Sequence, residues 1–244
     1  MTTPVDAVTF DFWNTLVYEE RGHLRDRRLS AWLGVLEDAG FAAERQLVEV
    51  AFDHAWDRYV EAWIANRQYQ AAEAAEAILE RLGYDVPPDV RRQLLDAFRS
   101  AGYEAELLLA PNVDECLRAL KRADVRVGIV CDVGMTPSSA LRTHLKRHGL
   151  LELFDHWSFS DEVGVYKPDR RIFEHALAGL GGVAPARAAH VGDLRRTDVA
   201  GANDMGMVSV RYTGVFDDPG EAGLPEATHV VSDHAELPAV LGLA

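Results

Sequence analysis

The sequence predicts an α/β fold, a doubly wound parallel sheet carrying an all-helical insertion, and three observations predict it. From Pro111 onward, short apolar runs alternate with segments of helical spacing, the pattern of parallel α/β structure. Between Tyr18 and Tyr103 the spacing is helical throughout and strand signals are absent. One apolar run, Ala7 to Asp11, precedes that stretch, so the sheet is interrupted after its first strand.

Ala7 to Asp11 reads as a buried strand that ends on an acid, and Asn14 and Thr15 suit the loop that follows. Leu29, Trp32, Leu33 and Leu36 lie at steps of three and four, with Gly40 as the stop. Leu47, Val50, Ala51, His54 and Ala55 repeat that spacing. Ile78 and Leu82 end a helix before Gly83, and Val90, Leu94, Leu95 and Phe98 follow the turn at Pro87-Pro88-Asp89. Beyond Pro111 the reading is a helix from Val113 to Arg122, a strand from Val125 to Val130 and a helix capped at Thr136-Pro137. Then come a strand from Trp157 to Phe159, a helix from Asp169 to Leu180 and a strand from Ala188 to Val191. A helix near Asp198 and strands from Met207 to Tyr212 and His229 to Val231 complete the chain. Residues 1–17 and 104–244 are thus assigned to the α/β core and 18–103 to a helical cap. Such a cap is expected over the carboxyl end of the sheet, where open α/β sheets bind ligands.

At 244 residues, 48% hydrophobic and 26% charged, the chain can bury one core and a smaller companion. Its net charge of −14 argues against nucleic acid or an anionic membrane surface as partner. A small anionic substrate remains compatible, because a metal ion and a few basic side chains invert the field locally. No signal peptide or membrane span is expected from the residues present. Two cysteines, Cys116 and Cys131, give no disulfide framework, so a reducing, cytoplasmic location is expected. The sequence is compatible with a monomer or a homodimer.

Asp11 and Asp193 each follow a strand directly, which delivers two carboxylates to one edge of a parallel sheet. That is a place for a hard cation such as Mg²⁺, which takes one or two carboxylates and keeps several waters. Asp198, five residues after Asp193, is positioned to bind the ion or to orient its waters. Singly, each of these aspartates is more often a turn or helix cap; their joint placement makes the case. Lys167, before Pro168 at an expected helix start, is a candidate to offset the acids and to hold a phosphoryl oxygen.

Four segments, in order, resemble the haloacid dehalogenase-like (HAD) superfamily. Phe10-Asp11-Phe12-Trp13-Asn14-Thr15-Leu16 is similar to its nucleophile loop, Val130-Cys131-Asp132 to its second motif, and Lys167-Pro168 to its third. Gly192-Asp193-Leu194-Arg195-Arg196-Thr197-Asp198 is similar to the acidic fourth motif. The stretch from Phe159 to Asp169 also matches many members, and the resemblance covers nearly the whole chain. It implies a Rossmann-like core with a cap after the first motif and a hydrolase acting on a small phosphorylated metabolite. Asp11 would attack phosphorus in line to form an aspartyl-phosphate that water then hydrolyses. The Mg²⁺ ligands implied are Asp11, the main-chain carbonyl of Trp13, Asp193 and Asp198. Lys167 is implied as the second catalytic residue, with Cys131, Asp132 and Trp13 lining the substrate.

The chain departs from the family's phosphatase pattern at Trp13, where phosphatases carry a second aspartate that protonates the leaving oxygen and deprotonates water. Loss of general acid–base help is worth roughly 10²- to 10⁴-fold in rate. Three readings follow: a phosphatase that borrows its acid from Glu19, Glu20 or His23; a 2-haloacid dehalogenase-like carbon–halogen hydrolase with Trp13 in an apolar pocket; or a catalytically degenerate phosphate-binding or scaffold protein. The intact nucleophile, lysine and acidic pair favour the first. Cys131 replaces a hydroxyl and Asp132 stands where many members have Asn. Tyr18, Trp56, Tyr59, Trp63 and Tyr69 are candidates to bind an aromatic or sugar group, or to pack the helices.

Overall fold

A computed structural model describes residues 5–20 and 22–243; residues 1–4, within the segment read for a signal peptide, lie outside them. The chain divides into two compact units. The first comprises Met1–Tyr18, Leu108–Asp132 and Leu145–Ala244 (of which 1–4 and 244 lie outside the described residues), and the second Glu19–Leu107 with Val133–His144.

In the first unit, among the described residues, six strands pair in parallel: β1 (Ala7–Phe10), β4 (Arg126–Cys131), β5 (His156–Phe159), β6 (Ala188–Gly192), β7 (Val208–Tyr212) and β8 (His229–Val231). Their order is β5-β4-β1-β6-β7-β8. The residues of β1 and β6 are buried throughout, as expected of strands covered on both faces. The chain runs outward from β1 through β4 to β5, then returns past β1 to build β6, β7 and β8. The order therefore reverses at β1, and the crevice at its carboxyl end is the ligand position of open α/β sheets. Register brings the functional ends level: Phe10 lies opposite Ile129 on β4 and Val191 on β6. Helix α8 (Arg170–Gly179) covers the sheet through Ile172, Phe173, Ala176 and Leu177, packed with Val130, Ala188 and Ala202. A two-residue antiparallel ribbon, β2 (Val17–Tyr18) with β3 (Leu108–Leu109), has no counterpart in the sequence reading.

The second unit is helical, with no strand among its described residues. It contains α1 (His23–Asp38), α2 (Arg45–Ile64), α3 (Ala71–Leu82) and α4 (Pro88–Glu104), with α1 against α4 and α2 against α3. Gly83 closes α3 at φ 69°, a conformation a glycine adopts without the Cβ penalty. Two expectations change here. On α2 the buried face is Val48, Ala51, Phe52 and Ala55, while Leu47 and Val50 are exposed. The helix is turned by one residue because Phe52 packs edge-on against Trp32, at 5.6 Å between ring centres, and lies 6.0 Å from Phe98. Helix α6 (Ser138–Arg147) begins one residue beyond Pro137, and the hydroxyl of Thr136 accepts from Arg28 Nη2 at 2.8 Å. Val133–His144 is tied to the helices by that bond and by one between His144 Nε2 and the carbonyl of Gly102 at 2.8 Å.

Trp32 is fully buried between Phe52 and Phe98. Trp32→Ala is expected to destabilise the protein by about 3–5 kcal/mol, read from urea unfolding. Among the described residues, no helix is long and apolar enough to cross a membrane.

Candidate active site

Asp11 leaves the end of β1 with its N–H donating to Val191 O at 2.8 Å, which pins it to β6. The loop then tightens: Asn14 adopts a left-handed φ of 55° and its N–H donates to Val17 O at 2.7 Å. Behind the loop, His234 is buried, stacked on Tyr212, and bonded through Nε2 to the carbonyl oxygen of Thr15 at 2.7 Å. Trp13 is half-buried and meets Phe12 edge-on, with ring centres 5.3 Å apart.

Lys167 is 2% exposed, and its ammonium group donates to Asp11 Oδ1 at 2.5 Å and to Asp198 Oδ1 at 2.7 Å. Its backbone is held as well, because Lys167 N–H donates to Asp132 Oδ1 at 2.8 Å. That bond uses a carboxyl-type oxygen that Asp and Asn share, so an aspartate at position 132 keeps the brace. Asp169 caps α8 by accepting from Arg171 N at 2.9 Å, so the helix starts there rather than at Pro168.

Asp198 sits in a π-helical turn, Arg195–Val199, before α9 (Ala200–Met205). Four donors engage it: Lys167 Nζ and His190 Nε2 on Oδ1, Leu194 N at 3.0 Å and Thr197 Oγ1 at 3.4 Å on Oδ2. His190, on β6, lies 2.9 Å from Asp198 through Nε2 and 2.9 Å from Thr9 Oγ1 through Nδ1. Burial lowers its pKa, so the neutral ring carries its single proton on Nε2 toward the carboxylate and accepts at Nδ1 from Thr9. A chain of contacts, Thr9–His190–Asp198–Lys167–Asp11, results. Sequence reasoning missed His190 and His234; the visible signal for His190 was a polar residue in an otherwise apolar buried strand.

Asp193 stands apart electrostatically. It is 2% exposed, forms no ion pair among the described residues, and accepts a hydrogen bond from Asn14 Nδ2 at 3.3 Å. Burial, with Asp11 and Asp198 adding to it, pushes its pKa well above the ordinary carboxylate range. Asp11 is pushed up to about 7 by burial against the pull of Lys167. Burial pushes Asp198 the same way, but Lys167 and His190 hold it below the usual range. Lys167 stays charged: Asp11 and Asp198 outweigh the burial that would lower it. Burial and the nearby Asp11 keep Cys131 a neutral thiol.

Asp11, Asp193 and Asp198 offer ligand atoms within 4.8 Å of one another. The donor set fits Mg²⁺: all oxygen, with the carboxylate of Asp193 lacking a cationic partner among the described residues and Lys167 bonded to Oδ1 rather than Oδ2 of Asp11. Gly192 allows the close approach behind this cluster. A Cβ there would lie 2.2 Å from Asp198 Cγ, so Gly192→Ala is expected to lower stability by about 1–3 kcal/mol and to reduce turnover, read from thermal unfolding and rate together.

A family model described as haloacid dehalogenase-like hydrolase matches residues 5–206. The chain belongs to the haloacid dehalogenase-like hydrolase family. It is 31% identical over 237 residues to the glyceraldehyde 3-phosphate phosphatase of Methanothermobacter thermautotrophicus, covering 94% of this chain and 90% of that one. It is 27% identical over 239 residues to (S)-2-haloacid dehalogenase 1 of Pseudomonas sp. strain CBS-3, covering 98% and 97%. The crystal structure of a 2-haloacid dehalogenase from Pseudomonas syringae pv. tomato superimposes with a TM-score of 0.71 over 98% of both chains, a likeness of fold at 21% identity. The haloacid dehalogenase-like core is thus present, the protein is a hydrolase of that superfamily, and its relatives include both phosphatases and dehalogenases.

Proposed function

We propose that this hydrolase is a Mg²⁺-dependent phosphatase acting on a small phosphorylated metabolite, with Asp11 as nucleophile and residues 18–103 as the substrate-selecting cap. The observation that carries the reading is Asp193, a buried carboxylate with no cationic partner, beside a nucleophile whose own partner is Lys167. Asp193, Asp11 and the main-chain carbonyl of Trp13 would hold the ion. Asp198, with all its oxygens engaged, would support from behind by fixing Lys167. Bound there, Mg²⁺ would offset charge on the phosphoryl oxygens and orient them for in-line attack.

Asp11 forms a bond to phosphorus as the ester P–O bond breaks, and the electron pair leaves on the alcohol oxygen. Water then attacks phosphorus and returns the carboxylate. Lys167 balances the charge that gathers on the nonbridging oxygens, and Cys131 presents a neutral thiol to the same region. Asp132 acts by bracing the Lys167 backbone. Of the surrogate acids read from the sequence, Glu19 is engaged in capping, its Oε2 accepting from Leu24 N at 2.7 Å.

With tryptophan at position 13, the leaving oxygen receives no proton from that side chain. Esters with acidic leaving groups, such as aryl phosphates, should therefore outpace alkyl phosphates. Trp13→Asp is expected to raise kcat on alkyl esters by up to about 10²-fold while changing aryl esters little. Equal treatment of both ester classes by wild type and variant would remove this account of Trp13. The reading as a whole is tested by phosphate release from a panel of monoesters with Mg²⁺ or EDTA, using Asp11→Asn as the control.

Trp13 also favours a second reading, carbon–halogen hydrolysis, in which Asp11 displaces halide from carbon and the resulting ester is hydrolysed. Halide release from 2-haloacids in EDTA, with no phosphate release in Mg²⁺, would establish it instead.

A further inference from the structure

Arg28 on α1 is 5% exposed, yet among the described residues it pairs with no carboxylate. Its donors meet neutral acceptors: Nε donates to Phe98 O at 3.3 Å, and Nη2 to Met135 O at 3.1 Å and Thr136 Oγ1 at 2.8 Å. The guanidinium lies over the Phe98 ring, 4.3 Å from its centre. Nη1 has no acceptor among the described residues, although a guanidinium directs two N–H groups from that atom. A buried charge without a counter-charge is costly, and proteins keep such groups paired or put them to use.

The residue lines a cavity of about 400 Å³ inside the helical unit, walled by Leu24, Phe52, Trp56, Ile78, Phe98 and Met135. The other charged groups at this cavity are already engaged. Arg25 pairs with Asp53 at 2.5 Å, and Glu19 accepts from the Leu24 N–H at 2.7 Å. Burial pushes Arg28 down to about 10, with Glu19 opposing from longer range, so the side chain remains a cation at neutral pH.

We propose that this cavity binds a small apolar monoanion, with a carboxylate on Arg28 and a hydrocarbon or aromatic body against Phe52, Trp56 and Met135. Arg28 has no ion-pair partner among the described residues and offers Nη1 to a single carboxylate, while the anionic Glu19 on the same wall acts on it only from longer range and disfavours a more highly charged ligand. A phosphate dianion would leave one charge over in the same surroundings, which disfavours it. The trapped aromatic rings supply area for a flat apolar group, and about 400 Å³ accommodates a ligand the size of an aryl acid. The inference concerns binding and stands whichever reaction Asp11 carries out.

The test is isothermal titration of the full chain with phenylacetate and with its uncharged analogue phenylacetamide. The acid is expected to bind saturably and about ten- to hundredfold more tightly than the amide, the range for a hydrogen bond to a charged group. Arg28→Met keeps the apolar stem and should bring acid and amide to equal affinity. Should that variant not fold, Trp56→Ala serves: Trp56 is 54% exposed, and its removal should weaken acid and amide in parallel with the fold intact. Equal binding of acid and amide by the wild type overturns the proposal. So do an acid preference that survives Arg28→Met, affinities unmoved by Trp56→Ala, or no saturable binding of either probe. Phosphate or halide release is not used, so failure here and failure of the phosphatase reading are separately visible.

Discussion

Asp11→Asn is expected to abolish turnover, by on the order of 10⁴-fold or more, while the protein remains folded. The substitution keeps the shape of the side chain and an oxygen that can still accept from Lys167, whose ammonium group also retains Asp198 at 2.7 Å. What is lost is the attacking charge. An amide oxygen does not form the acyl-phosphate on which the two-step route depends, and direct attack by water recovers little in a site shaped for covalent transfer. The measurement is single-turnover phosphate release, with urea unfolding to establish that the variant is folded. If Asp11→Asn kept more than about a tenth of the wild-type rate, water activated elsewhere would be the nucleophile, and the role of Asp11 would reduce to holding charge. The variant is the control for both chemistries, since both need Asp11; the ion that the wild type releases, phosphate from monoesters or halide from 2-haloacids, separates them.

Much of this site was legible in the sequence because a parallel sheet buries its strands on both faces and ends them at one edge. Val-, Ala- and Phe-rich runs before Asp11 and Asp193 therefore located both carboxylates before any coordinates. Lys167 was legible through its neighbours. Its distance from Asp11, 156 residues along the chain, is set by how α8 and β6 pack, which no local pattern states. Asp132, expected only to line the substrate, also accepts from Lys167 N, a contact across 35 residues that no local pattern states. His190 was visible only as an anomaly, a polar residue inside a buried strand, and its partners Thr9 and Asp198 arrive from β1 and from the turn after β6. On α2, periodicity gave the helix but not its rotation. Choosing Val48 and Phe52 over Leu47 and Val50 depends on what Trp32 and Phe98 present to it. Thr136 looked like a cap because its type and its Pro neighbour are cap-like, but its hydroxyl takes a hydrogen bond from Arg28, 108 residues away.

Asp193→Asn is expected to make the metal-free protein more stable and the enzyme inactive. In the folded, metal-free state Asp193 is a buried carboxylate raised well above the ordinary range by burial and by Asp11 and Asp198. Asp11 is itself raised to about 7 from an ordinary value of 3.8. Between those two pH values the folded state holds protons that the unfolded chain has released. The contribution of these two carboxylates to the stability of the metal-free protein therefore falls as pH rises from about 4 to about 7, opposite in sign to that of a carboxylate held low by a salt bridge and to that of the buried His190 and His234, whose rings are held neutral. Mg²⁺ would reverse this at neutral pH, because it replaces the protons and binds only the folded arrangement. Asp193→Asn removes one of the competing charges and leaves an amide that Asn14 can still reach. We expect a gain of about 1–2 kcal/mol at pH 8 in EDTA, a slope between pH 4 and 7 more positive than that of the wild type, and no further gain on adding Mg²⁺. Turnover should drop by at least about 10²-fold, since the ion's charge stabilisation is lost with its ligand. Urea unfolding at pH 5, 7 and 8 with Mg²⁺ or EDTA reads all three. A wild type and an Asp193→Asn variant with the same pH slope in EDTA would mean that Asp193 already has a cationic partner in the fold. A Mg²⁺ response kept by Asp193→Asn would place the ion on other ligands.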